Sequence, residues 1–189
     1  MEELINKSRE LALAEISRFA MPKLEHFLLA NAKGQELAAK LGADQEIVLL
    51  GTMLMDLKIG QCFGANRLAE HVAESSRAAQ AFLRPFNLDP EIFRKIVDCI
   101  ESHHGVPAYS CLEAEICANA DCYRFLSPAG FFNAFMIFSG RGADFTGCLN
   151  QLEAKLEEKH NILSLDICRQ ELEPYYQEFK ELIKKAREN

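Results

Sequence analysis

The chain lacks any stretch in which apolar and polar residues alternate as they do along a half-buried β-strand, and that absence points away from β architecture. Its seven cysteines (Cys62, Cys99, Cys111, Cys117, Cys122, Cys148, Cys168) form no C-x-x-C pair and are odd in number, which suits reduced thiols in a cytoplasm rather than a disulfide framework. Positive charge is in deficit: 21 basic against 28 acidic side chains leave a net charge of -7, opposing general binding to nucleic acid backbones or anionic membranes. Glu2, Glu3, Lys7, Arg9, Glu10, Glu15 and Arg18 break up the first twenty residues, so no signal peptide is expected there. No later run reads as long enough to cross a bilayer, and there is no internal repeat or low-complexity linker.

What is present is helical periodicity from end to end. With 189 residues, 49% hydrophobic and 26% charged, the composition predicts one soluble domain with an ample core. The fold class is all-α, a single helical bundle of eight to nine helices. A first helix is expected over 3–19, ending before Pro22, and a second over 23–41, ended by Gly42. Asp44 then caps a helix running from Ile47 through Leu57, apolar on nearly every side and so placed in the middle of the domain. Gly60 and Gly64 mark a loop before a helix over 66–83. Asp89 and Pro90 open the next as N-cap and first-turn residue. Helices over 112–126 and from Pro128 follow. The glycines at 140, 142 and 147 mark a further loop, and two amphipathic helices over 149–158 and 166–187 finish the chain.

Two acids do not belong in such a core. Asp56 ends the most apolar helix, and Asp121 lies on the inward stripe Ala114, Cys117, Ala118, Asp121, Phe125. A buried carboxylate needs a metal, a cation, a helix-end hydrogen bond or a proton. Two of them brought together would repel unless a positive centre lay between them. His26, His71, His103 and His104 could complete such a centre, although each alone reads as an ordinary histidine. Imidazoles and carboxylates drawn from several helices suit iron, manganese or zinc with open coordination positions, unlike a closed structural zinc site. A metal so held makes hydroxide available at neutral pH and neutralises a phosphoryl oxygen.

The order His26, Met55-Asp56, His71, His103-His104, Asp121 resembles the HD superfamily of metal-dependent phosphohydrolases over residues 20–126. The helices over 128–187 would pack on that core. Supporting wording includes Gly51-Thr52-Met53-Leu54-Met55-Asp56, Leu68-Ala69-Glu70-His71, Ile100-Glu101-Ser102-His103-His104-Gly105 and Asn119-Ala120-Asp121. The resemblance implies metal ligation by His26, Asp56, His71, His103 and Asp121, one or two divalent transition ions, and catalytic or substrate-contact duty for His104 beside Asp56. Met55 stands where the family has the histidine of its His-Asp dyad, and a thioether is a poor substitute for imidazole toward such ions. Asn119 and Cys122 likewise depart from the last motif and its phosphate-binding arginine. Lys58, Arg67 and Arg124 are the candidate phosphate contacts, each weighed against solvated surface charge.

The expected activity is hydrolysis of a nucleotide or other small phosphate ester. The alternatives are a degenerate HD domain serving as a ligand-sensing or protein-interaction module, for which Met55 argues, and an HD-type di-iron oxygenase. The cluster Phe131, Phe132, Phe135, Phe138 is wide enough to cover either a core or a homodimer face.

Overall fold

The computed structural model describes residues 1–188 and contains, among them, helices and no strand. The α-helices are α1 (Glu2–Phe19), α2 (Leu24–Leu41), α3 (Gln45–Leu54), α4 (Ile59–Gly64), α5 (His71–Leu83), α6 (Pro90–Glu101), α7 (Leu112–Leu126), α8 (Pro128–Gly140), α9 (Phe145–Ile162) and α10 (Asp166–Glu188). The centre is α7, which packs on α2, α3, α6, α8, α9 and α10. Its stripe Ala114, Cys117, Ala118, Asp121 is fully enclosed.

Local capping explains several boundaries. The Asp44 carboxylate accepts from the backbone N–H groups of Glu46 and Ile47 at the start of α3, and Asp89 accepts from Glu91 ahead of Pro90. Ser127 and Asp144 do the same for α8 and α9. The Asp144 cap starts α9 at Phe145, so Gly147, expected in a loop, lies in its first turn.

The stretch expected to run helical to Leu57 stops at Leu54 and turns over residues 55–58. The Gly60–Gly64 loop is instead the short helix α4, which packs on α1 and α5. Residues 45–64 do reach the length and apolar composition of a membrane span, contrary to the sequence expectation. They are 67% buried, and the turn divides them into two helices that line the core.

Close approach fixes two glycines beside the site. A Cβ on Gly51 would lie 2.5 Å from the Cβ of Cys99, so α3 can press on α6 only without a side chain there. A Cβ on Gly130 would meet the Tyr123 carbonyl oxygen at 2.2 Å, which locks the first turn of α8 against the end of α7. The phenylalanine cluster divides: Phe131 and Phe138 are core, whereas Phe132 is 60% exposed.

Candidate metal and phosphate site

Asp56 lies in the turn after α3, His71 opens α5, and His103 and His104 follow the end of α6. Asp121 and Arg124 are on α7, and Lys159 on α9. A turn and two helix ends carry the first four, so their side chains converge while the helices supply rigidity; Asp56, His71 and His104 line one cavity and His103 is fully buried beside them.

The two imidazoles are set up alike. His71 Nδ1 donates to the Leu68 carbonyl at 2.7 Å, and His103 Nδ1 donates to the Ile100 carbonyl at 2.7 Å. A carbonyl only accepts, so a proton sits on Nδ1, and in the neutral ring each Nε2 presents a lone pair. These lone pairs face Oδ1 of Asp56, at 3.5 Å from His71 Nε2 and 3.6 Å from His103 Nε2. Asp56 Oδ1 and His103 Nε2 are both buried without a hydrogen-bond partner. His104 joins them, its Nε2 lying 3.2 Å from that of His71. The three imidazoles each offer a nitrogen within 4.8 Å of the others and can hold an ion. Nδ1 bound to a backbone carbonyl with Nε2 free is the arrangement that orients histidine toward a metal.

The positive centre required between the two acids is a guanidinium. Arg124 Nη1 donates to Asp56 Oδ2 and to Asp121 Oδ1, each at 2.6 Å. Lys159, 1% exposed, places Nζ 2.6 Å from Asp121 Oδ2 as an ion pair off the hydrogen-bonding direction. Burial alone would raise the Asp56 carboxyl, but the Arg124 guanidinium holds it well below the usual carboxylate range. Against the same burial, Lys159 and Arg124 hold Asp121 low, and the acids in turn push both cations upward. Burial keeps His71 and His104 below the ordinary histidine value.

His26 stands apart from the imidazole cluster. Its Nε2 donates to the Gly130 carbonyl at 3.2 Å, and its ring meets Phe125 edge-on at 5.2 Å. Burial lowers its pKa from 6.5 to about 4, with Arg124 adding to the effect. Between those values the unfolded chain binds a proton that the folded chain refuses, so stability falls as pH drops. This shift corresponds to a loss of about 3 kcal/mol. Urea midpoints between pH 7 and pH 4.5 should therefore decline more steeply in the native chain than in His26→Gln, which keeps a donor and does not titrate. His71 and His104 add to the decline in both; parallel slopes would show that His26 is not held neutral.

A cavity of about 100 Å³ opens on this wall. Asp56, Asp121, His26, His71 and His104 line it together with Lys23, Arg124, Arg141, Lys155 and Lys159. Five cations line this one cavity in an acidic protein, three of them paired with carboxylates: Arg124 and Lys159 with the two acids and Lys155 with Glu158. Two of the three basic residues singled out in the sequence are elsewhere: Lys58 pairs with Glu15 at 3.2 Å, and Arg67 with Glu70 at 2.7 Å. Arg124 lines the cavity but is buried, against the surface reading. Lys159 was passed over among Glu157, Glu158 and His160. Its signal was register, for it continues the buried stripe Leu149, Leu152, Leu156 of α9.

Among solved structures the chain is similar to a predicted HD superfamily hydrolase from an uncultured Thermotogales bacterium, at TM-score 0.67 and 14% identity over 98% of this chain and 90% of that one. The fold is that of an HD domain. Bacillus subtilis YpgQ has the same HD fold at TM-score 0.68 and 17% identity, covering 98% of this chain and 93% of its own. YpgQ in complex with ADP matches at TM-score 0.67, with 17% identity over 98% and 95% of the two chains. No family model matches the sequence, and no curated protein does. The HD likeness therefore lies in the arrangement of the helices, with the site chemistry to be read from this chain's own side chains.

Proposed function

We propose that this HD domain is a metal-dependent phosphohydrolase of the cytoplasm acting on a nucleotide or other small phosphate ester. One observation carries the reading: Asp56 Oδ1 and His103 Nε2 lie buried 3.6 Å apart without a hydrogen-bond partner, and His71 Nε2 lies 3.5 Å from the same oxygen, a convergence of ligand atoms that a cation held by neutral imidazoles would satisfy. His71, His103 and Asp56 would hold a divalent transition metal, iron, manganese or zinc. Such an ion supplies Lewis acidity toward a phosphoryl oxygen and acidity to water. Arg124 and Lys159 offset the two buried acids, and Lys23 and Arg141 on the cavity lining would supply the charge that meets a phosphate. His104 sits at the cavity edge, its Nδ1 3.4 Å from Glu158 Oε1, placed to carry a proton for the leaving group. Similarity to YpgQ, which has been crystallised with ADP, supports a nucleotide as the ligand class. The seven free cysteines, six of them buried, suit the reducing compartment.

Metal analysis of protein purified without chelators, together with phosphate release from a panel of nucleoside phosphates, tests this reading. The expected result is bound transition metal and hydrolysis lost on chelation and restored by manganese, iron or zinc. A metal-free protein whose melting temperature none of these ions moves would overturn it in favour of a sensing or interaction module. Two bound irons with oxygen-dependent turnover would overturn it in favour of an oxygenase.

Lys155 pairs with Glu158 at 2.5 Å, and Arg141 lies 4.8 Å over the Phe63 ring; both remain on the cavity lining. Charge here should act mainly on substrate capture. Arg141→Ala is expected to raise KM about tenfold, equivalent to ~1.4 kcal/mol, while leaving kcat within a few-fold. Steady-state kinetics on the best nucleotide checks it, and a fall confined to kcat would place Arg141 in the chemical step instead.

A further inference from the structure

The oxygens of the two buried acids are divided between two kinds of partner. Asp56 Oδ2 and Asp121 Oδ1 both accept from Arg124 Nη1, and Asp121 Oδ2 faces Lys159 Nζ. Only Asp56 Oδ1 is left over, and it points at His71 and His103. Two carboxylates are thus matched by two protein cations, and a divalent ion inserted between them would leave a buried excess of positive charge. The other donors nearby are weak or engaged: Met55 is a thioether, and His26 Nε2 is turned to the Gly130 carbonyl. A guanidinium is planar, permanently charged and weakly hydrated, which lets it persist between two acids where an ammonium or a hydrated ion would be costlier to strip of water.

We propose that Arg124 and Lys159 act as a built-in replacement for a metal ion between Asp56 and Asp121, excluding one there and limiting the site to a single divalent transition ion on the histidine side. The count of one ion rests on the metal reading given under Proposed function; the exclusion between the acids does not.

The test is titration of the full chain with manganese by calorimetry, with bound metal counted after desalting, in the native protein and in Arg124→Ala/Lys159→Met. One equivalent in the native chain and two in the double variant is the expected result. Because the double variant may lose its fold, native crystals grown with manganese give the second readout: a single anomalous peak beside Asp56 Oδ1, His71 and His103, with Arg124 still bridging the acids. Two native equivalents, or a peak between Asp56 and Asp121, would overturn the inference while leaving metal-dependent hydrolysis intact. A native chain that binds none, beside a double variant that gains one, would keep the exclusion and sink the hydrolase reading. No ion in either protein would sink both.

Discussion

Arg124→Met should destabilise the protein by about 3–5 kcal/mol, the range for removing one partner of a buried ion pair. Arg124 is 6% exposed and Asp121 2%, so solvent cannot take over the lost guanidinium's role. With it gone, Asp56 and Asp121 face each other with Lys159 alone near Asp121, and one acid must take up a proton or drag water inward. Loss of about 3 kcal/mol is a large fraction of a domain's usual stability, and it should appear in urea unfolding as a lowered midpoint with little change in slope. Its pH dependence has a definite sign. The folded pKa values of both acids lie below their unfolded ones, so the stability they contribute is present above the unfolded carboxylate value and fades as pH falls through the folded values. Without Arg124 those folded values rise, and the variant should lose stability on acidification sooner than the native chain does. An unfolding free energy within ~0.5 kcal/mol of native at pH 7 would mean that Arg124 is not the counter-ion of these acids.

The same residues show where sequence reading ends. Caps were legible because they are local chemistry: Asp44, Asp89-Pro90 and Pro128 each sit within three residues of the N–H groups or backbone angles they govern. The acids were legible too, since a carboxylate within an apolar run has few stable environments. From their burial a positive centre followed, but not its identity. Arg124 lies three residues after Asp121 on one face of α7, a spacing any solvated surface pair would share. Lys159 is set by α9 folding back across α7, a contact between residues 38 apart in sequence that no local pattern records. The short helix α4 was hidden for the opposite reason. Its two glycines are loop signals, yet Gly60 is there because a Cβ would lie 2.4 Å from that of Phe19. His26 was read with the ligands from its place in the chain, and only the closure of Gly130 on α7 shows its Nε2 turned to a carbonyl.

Asp56→Asn separates the metal from the fold. The amide preserves the shape of the side chain, its oxygen can still accept from Arg124, and its NH₂ can donate to the unpartnered Nε2 of a neutral His103. The pair of unpartnered atoms that a cation would satisfy is then satisfied by protein alone. Stability without metal should fall by only about 1–3 kcal/mol, since Arg124 and Lys159 keep Asp121 as their anion. Metal content, in contrast, should drop to background, because an amide is a far weaker ligand than a carboxylate and its NH₂ now occupies His103 Nε2. Hydrolysis should fall at least about a thousandfold, the scale of several kcal/mol of lost transition-state charge stabilisation. Elemental analysis, a urea curve and a kcat measurement on one preparation distinguish the cases. A folded variant without metal that still turns over at more than a tenth of the native rate would show that the ion held by Asp56 is not part of the reaction.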